Sequence, residues 1–315
     1  MDGKKYYLGI DGGGTKTEFV LTDEQGNVLK RYLDKGSNPN DIGIENCVSV
    51  LLGGIERTLN NLPKENACIF AGVSGAGVGE NAKRIQESLQ NTYPWIRVDS
   101  DLVNALETSL QGQDGIAVVC GTGISCSICK DGARKTIGGY GYLFEDGGSG
   151  YAYGRDGVKA VLRLEDGIGE RTCLSEYFYE TLGKSVKSAL KDILLGGKSA
   201  VASFCPLAFK GYEKGDKVCA EIIENNLLYT TTLIKDALSV SEMANPKIAF
   251  VGGVTKETVF REKMQTEFGK EHKLAFSTNK PIYGAVRKAV MLFGGTIHEN
   301  FENNFEKPLD KSLSA

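Results

Sequence analysis

The sequence predicts an α/β protein made of two copies of one β-β-β-α-β-α unit. Three observations point to it. A strand, a glycine turn and a second strand open the chain at 7–21, and the same order returns at 116–129. Each opening leads to a third strand, then to helices alternating with short apolar strands. The chain has 315 residues, enough for two ordinary domains, so the recurrence reads as internal duplication.

The elements follow in order. In the first strand Leu8 and Ile10 alternate with Tyr7 and Gly9, and Asp11 closes it. Gly12, Gly13 and Gly14 make the turn, Thr15 and Lys16 leave it, and 17–22 is the second strand. A third strand near 28–33 follows the Gly26-Asn27 turn. Ile44, Val48, Leu51, Leu52, Ile55 and Leu59 fit a 3.6 period, which predicts a helix over about 42–60. A buried strand at 67–73 ends in Ser74-Gly75-Ala76-Gly77. A helix over about 80–91, a strand at 95–98 and a helix from Asp99-Ser100-Asp101 to about 110 complete the first unit. The turn cluster 111–115 is the expected domain boundary. Beyond it come a strand at 116–120, the turn Gly121-Thr122-Gly123, a strand at 124–129, an Asp131-Gly132 hairpin and a strand near 134–137. A largely helical region spans about 151–241. A strand at 247–251 then ends in Gly252-Gly253 and precedes a helix, a strand at 273–276 and a last helix at about 281–293. The expected domains are 1–112 with 281–315, and 113–280, the last helix returning to the first.

Composition narrows the function. The net charge of −3 gives no electrostatic case for nucleic acid or an anionic membrane. No apolar run approaches the ~18 residues of a membrane span. The N-terminus runs directly into a strand, so no secretory leader and a cytoplasmic location are expected. Eight cysteines lie mostly in apolar segments. Cys126 and Cys129 form a C-x-x-C inside a strand, with no second pair at zinc spacing, so reduced, structural thiols are expected. His272 and His298 are the two histidines, which argues against a Ser-His-Asp triad, a histidine-rich metal site and a histidine base. Acid–base chemistry falls to carboxylates.

Three glycines in a row cost folding entropy, and close approach of backbone N–H groups to an anion would explain them. Asp11 beside them suits Mg²⁺, which takes oxygen ligands. The turn is neither common phosphate motif. Gly197-Lys198-Ser199 has the tail of a Walker A loop but Asp192 at its first glycine position. A Rossmann fingerprint would need glycine at Thr17 and a helix after it. The residues alone leave a plain glycine-rich hairpin open.

Taken together, the motifs resemble a known group. Asp11 through Thr17 looks like the first phosphate motif of the actin/hexokinase/Hsp70-like ATPases, Cys120-Gly121-Thr122-Gly123 like the second, and Val251-Gly252-Gly253-Val254 like the adenosine motif. The chain is similar to the N-acetylglucosamine kinases and to the activator-type ATPases of benzoyl-CoA reductase and hydroxyacyl-CoA dehydratase. The resemblance spans about 5–295. It implies two actin-like (ribonuclease H-like) domains with a cleft between them, holding ATP and Mg²⁺. It further implies nucleotide contacts at Gly12, Gly13, Gly14, Thr15, Lys16, Gly121, Thr122, Gly123, Gly252 and Gly253, with Asp11 on the metal side. Ser37-Asn38-Pro39-Asn40 sits where such kinases bind the sugar, and 138–151 is similar to their Gly-Gly-Trp-Gly…Gly-Asp-Glu-Gly-Ser segment. Tyr140 replaces the Trp and Glu145 the Gly before Asp146. The chain lacks the cysteine-rich zinc loop of the repressor/kinase sugar family.

By this resemblance Asp101 is the catalytic base, with Asp99 as rival, and the sugar contacts are Asn38, Gly75, Asp101, Gly139, Tyr140 and Asp146. Each has a structural alternative: a helix cap for Asp101 and Asp146, turn punctuation for Asn38, packing for Tyr140. The expected function is ATP-dependent phosphorylation of an amino sugar, N-acetylglucosamine at its 6-hydroxyl. A partner-activating ATPase and a glucosamine kinase are the alternatives. The expected partner is a small sugar, with no nucleic acid or membrane, and a homodimer is admissible.

Overall fold

A computed structural model describes residues 5–277 and 279–307. The chain forms two compact units, one taking the residues up to Gly112 and again after Ser277, the other Gln113–Ser277. The first opens with strands β1 (Tyr6–Gly12), β2 (Lys16–Thr22) and β3 (Val28–Lys35). A single turn, α1 (Pro39–Ile42), precedes α2 (Ile44–Leu59), then come β4 (Ala67–Val73), α3 (Asn81–Gln90), β5 (Ile96–Asp99) and α4 (Asp101–Leu110). One helix was expected over 42–60. Gly43, at φ 80° and ψ 157°, is not helical and splits off α1, a conformation that glycine adopts without strain.

The second unit contains β6 (Gly115–Cys120), β7 (Ile124–Lys130) and β8 (Ala133–Gly138). Six helices follow: α5 (Gly150–Glu165), α6 (Leu174–Leu182), α7 (Val186–Leu195), α8 (Gly197–Ala202), α9 (Cys205–Glu213) and α10 (Lys217–Ser239). β9 (Ile248–Val251), α11 (Thr258–Phe268) and β10 (Leu274–Phe276) end it. The Walker-like Gly197-Lys198-Ser199 opens the short α8 and forms no phosphate loop. α12 (Pro281–Leu292) and α13 (Phe301–Glu306) return to the first unit.

The two sheets share one topology. The first has the order β3-β2-β1-β4-β5, the second β8-β7-β6-β9-β10. In each, the first three strands pair antiparallel and the last two join parallel. The expected duplication is therefore present.

The first sheet is covered on both faces, as strands with apolar residues on both faces require. Leu8, Ile10, Phe19, Ile69 and Ala71 pack with Leu51 and Ile55 of α2 and Ile85 of α3. Tyr7, Val20, Cys68 and Phe70 pack with Val286, Ala289 and Val290 of α12. α12 lies close enough that a Cβ on Gly284 would stand 2.0 Å from the Asn104 carbonyl oxygen of α4. The same two helices bury an ion pair, Arg287 Nε donating to Glu107 Oε1 at 3.0 Å. The second unit has its own core, in which Ile116, Val118 and Cys126 meet Tyr153, Ile223 and Ile234. No helix among the described residues is long and apolar enough to cross a membrane.

Candidate active site

The glycine turn after β1 is closed by its own backbone and by both neighbouring strand exits. Gly13 N–H donates to Lys16 O at 2.9 Å. Ser37 N–H, just past β3, donates to Gly13 O at 2.9 Å, and Ser74 N–H, just past β4, to Gly12 O at 2.7 Å. A Cβ on Gly12 would stand 2.5 Å from Ser37 Oγ, which accepts from the Thr17 hydroxyl at 2.9 Å. Gly14, Thr15 and Lys16 are left exposed at the tip.

Two carboxylates stand beside this turn. Asp101 is the first residue of α4 and is not its cap. Ser100 is the cap, its Oγ accepting from Leu102 N–H at 3.2 Å and donating to Asp101 Oδ1 at 3.2 Å. The sequence could not separate these neighbours, because serine and aspartate cap equally well. Burial pushes the Asp101 carboxyl above the usual range, and hydrogen bonds from Ser100 and Ser74 partly offset it. Asp99 accepts from Ser100 N–H at 2.6 Å, a local turn contact.

Asp11 is held by a residue that the sequence reading passed over. Asn104, wholly buried on α4, donates from Nδ2 to Asp11 Oδ1 at 2.7 Å, and to the carbonyls of Ile10 at 3.2 Å and Gly72 at 3.3 Å. Its Oδ1 has no partner among the described residues. One signal was available: Asn104 lies three residues after Asp101, on the same helix face, inside an apolar run. Burial pushes the Asp11 carboxyl up to about 6; Asn104 and Lys16 oppose this, and Asp101 and Glu18 add to it.

Asn38 and Gly75 meet on the same unit. Asn38 caps α1, its Oδ1 accepting from Asn40 N–H at 3.0 Å. Gly75, at φ 81°, presses against it: a Cβ there would stand 2.2 Å from Asn38 Oδ1. Asn81 Nδ2 donates to Gly75 O at 3.0 Å and to Asn40 Oδ1 at 3.1 Å. The turn role given as the alternative for Asn38 is therefore real, and it fixes the amide next to Gly75. A cavity of about 410 Å³ adjoins this cluster, lined in part by Asn40, Asn81 and Arg84.

The second unit carries the other candidates. Gly121 N–H donates to Gly123 O at 2.9 Å, and the turn is docked on the start of α5 through Gly150 N–H to Gly121 O at 2.8 Å. Gly252, at φ 120°, packs on the Cys120 carbonyl. Gly121, Gly123 and Gly253 differ: a Cβ on any of them would meet nothing within 4 Å. Packing does not call for glycine at those three positions.

The loop after β8 holds Gly139 and Tyr140. Tyr140 is 70% exposed, so packing does not account for it. Its backbone is nevertheless fixed, because Tyr140 N–H donates to Glu145 Oε1 at 2.8 Å while the Tyr229 hydroxyl donates to Glu145 Oε2. Glu145, the departure noted in the sequence, is thus the buried anchor of the loop. Asp146 is exposed and caps nothing. Ser149 caps α5, accepting from Ala152 N–H at 3.1 Å, while the Asp146 carbonyl accepts from Arg155 at 2.7 Å.

Comparison with known proteins matches residues 8–292 to the BadF/BadG/BcrA/BcrD ATPase family. The chain is 30% identical to an N-acetylmuramic acid/N-acetylglucosamine kinase of Clostridium acetobutylicum, over 90% of this chain and 97% of that protein. It is 28% identical to an N-acetyl-D-glucosamine kinase of Dictyostelium discoideum, over 72% of this chain and 77% of that one. The solved structure of a Chromobacterium violaceum protein, proposed to be an N-acetylglucosamine kinase, superposes with a TM-score of 0.74 at 21% identity, covering 91% of this chain and 99% of that one. At that identity the likeness carries the fold: two actin-like α/β domains.

Proposed function

We propose that this chain, which belongs to the BadF/BadG/BcrA/BcrD ATPase family, is an ATP-dependent amino-sugar kinase acting on the 6-hydroxyl of N-acetylglucosamine. The observation that carries the reading is the Asp101 carboxylate. It stands at the head of α4, with Ser100 as the cap, at the C-terminal end of the parallel strands, where the glycine turn and Asp11 also lie. The relatives quoted above supply the sugar.

In this reading the sugar hydroxyl attacks the γ-phosphorus of ATP, its oxygen–phosphorus bond forming as the bond to the β–γ bridging oxygen breaks and ADP leaves. Asp101 takes the hydroxyl proton. A carboxylate with a raised pKa is the stronger base for that transfer while it stays ionised. The backbone of Gly12, Gly13 and Gly14 with Thr15 and Lys16, and the turn Gly121-Thr122-Gly123, hold phosphates. Gly252 and Gly253 face adenosine, open space at Gly253 permitting close approach. Asn38, Gly75, Gly139, Tyr140 and Asp146 contact the sugar. Asp11, a half-buried oxygen donor held by an amide beside the turn, fits Mg²⁺ on the phosphate side. When bound, Mg²⁺ neutralises phosphate charge.

The activator-ATPase alternative needs cysteines that a second subunit can reach. Cys126 is wholly buried and sits on the opposite strand face from Cys129. The kinase reading places the protein in the cytoplasm, and light scattering tests for a homodimer. A coupled ADP assay over N-acetylglucosamine, glucosamine, N-acetylmuramic acid, N-acetylmannosamine and glucose tests the function. ATP turnover that no sugar stimulates would sink it.

A further inference from the structure

The second unit contains a cluster that the proposed phosphoryl chemistry does not use. Cys173 stands at the start of α6, and Asp216 and Cys219 at the start of α10. One ligand atom from each, two thiol sulfurs and a carboxylate oxygen, lie within 4.8 Å of one another. It is the one such group of three found among the described residues.

Local structure explains why they meet. Asp216 caps α10, Oδ1 accepting from Cys219 N–H at 2.9 Å and from the Thr172 hydroxyl at 3.1 Å. Its Oδ2 accepts from Cys173 N–H at 2.7 Å. One carboxylate therefore ties two helix starts together and leaves lone-pair capacity on Oδ2. A cap and the residue three positions on share a helix face, which turns Cys219 toward the carboxylate. α9 forms the floor. A Cβ on Gly211 would stand 2.3 Å from Cys219 Sγ and 3.2 Å from Cys173 Sγ, so a space that any other residue would fill is given to sulfur. Lys210 Nζ lies 3.8 Å from the centre of the Tyr177 ring on α6, one side chain away from Cys173, a cation beside a group that becomes anionic on metal binding.

We infer that Cys173, Asp216 and Cys219 form a three-ligand site for a thiophilic divalent cation, Zn²⁺ above all. Ligands of one tetrahedral zinc ion stand about 3.5–3.8 Å apart, a separation that small side-chain rotations reach from the observed arrangement. Two sulfurs and one oxygen select Zn²⁺ over Mg²⁺, so the site is chemically separate from any metal that accompanies ATP. Each thiol that joins the ion releases its proton to solvent. The fourth position is open to water. The ion would pin α6 and α10 over α9, and the inference does not depend on the kinase reading.

The test uses the full chain, chelator-washed and thiol-reduced. It is titrated with Zn²⁺ against a chromogenic competitor, then with Cd²⁺ read by thiolate-to-metal absorption in the ultraviolet. One equivalent per chain is expected, with an absorption sized for two thiolates and a higher melting temperature when loaded. Cys173→Ser and Cys219→Ser should each weaken binding on the order of 100-fold. Asp216→Asn keeps the Oδ1 cap on α10 but loses the bond from Cys173 N–H, so it should weaken binding at least about 10-fold and lower the metal-free melt modestly. Cys126→Ser should leave metal binding unchanged, whatever it costs the core in stability. Absence of stoichiometric binding, or binding that survives loss of both cysteines, overturns the inference. So does a pair that closes into a disulfide under mild oxidation while the reduced protein takes no metal.

Discussion

Replacing Asp101 by Asn keeps the shape of the side chain and removes the oxygen that accepts a proton. General-base catalysis is worth about 10²–10⁴ in rate, or about 2.7–5.4 kcal/mol of barrier. The stability cost is worked from the first turn of α4. Ser100 carries the cap bond, so Asp101→Asn forfeits its charge–dipole term, about 0.3–1 kcal/mol, and weakens the hydrogen bonds from Ser100 and Ser74. Against that, burial disfavours the ionised carboxyl, and its removal relieves that cost. The two oppose each other, and in a domain of this size about 1 kcal/mol moves the melting temperature by about 2–4 °C. The expected variant melts within that margin of the parent, binds ATP in calorimetry, and phosphorylates sugar at least about 100-fold more slowly in a coupled ADP assay. Ser100→Ala is the complement: loss of the cap should cost about 0.5–2 kcal/mol with a smaller kinetic effect. If Asp101→Asn retains sugar phosphorylation within a few-fold, Asp101 is not the base. If it melts far below the parent, its role is structural.

Gly253→Phe should weaken ATP binding and leave the melt unchanged, since φ is −63° and nothing lies within 4 Å of a Cβ there; equal nucleotide affinity would remove Gly253 from the adenosine site. Glu107→Ala should destabilise by about 3–5 kcal/mol, because it strands the buried Arg287 guanidinium; denaturant unfolding followed on the full chain reads this directly. Asp11 gives a pH signature. Its folded pKa of about 6 exceeds the ordinary 3.8, so the native state binds the extra proton between those values. Its contribution is present in full below about 4 and is lost as pH rises through about 6, on the order of 2–3 kcal/mol. Asp11→Asn should flatten the melting profile across that window, and an unaltered slope would show that another group titrates.

Much of the architecture was legible because it is written in local pattern. The two glycine turns, the period-2 strands and the Asp131-Gly132 hairpin depend on residues near in sequence, and Asp131 and Gly132 take positive φ, 51° and 76°. What was missed is tertiary or a choice between equals. Ser100 and Asp101 compete for one cap, and the next turn of helix decides. Gly43 breaks a helix whose apolar period runs on without interruption. Asn104 reads as a polar flaw in an apolar helix until β1 brings Asp11 to it, 93 residues away in sequence. Glu145 looked like a departure from the sugar-site pattern, and its meaning waits on Tyr229 of α10. Cys173 and Cys219 belong to no spacing motif, since 45 residues separate them and only the crossing of three helices joins them.

The return of α12 to the first unit has a consequence for synthesis on the ribosome. One face of the first sheet, with Tyr7, Val20, Cys68 and Phe70, is covered by a helix that begins at Pro281. Roughly 170 residues are translated between the end of α4 and that helix; at about 5–20 residues per second this takes on the order of 8–34 s. Through that interval the nascent first unit presents an apolar sheet face covered only in part, by α4 through Val103, while the second unit, contiguous in sequence, can complete its core. The order of folding is thus inverted relative to the order of emergence: the half that leaves the ribosome first is the last to close. Slowed elongation within Gln113–Ser277 prolongs the exposure of the first sheet, which makes that face the one for nascent-chain chaperones to shield.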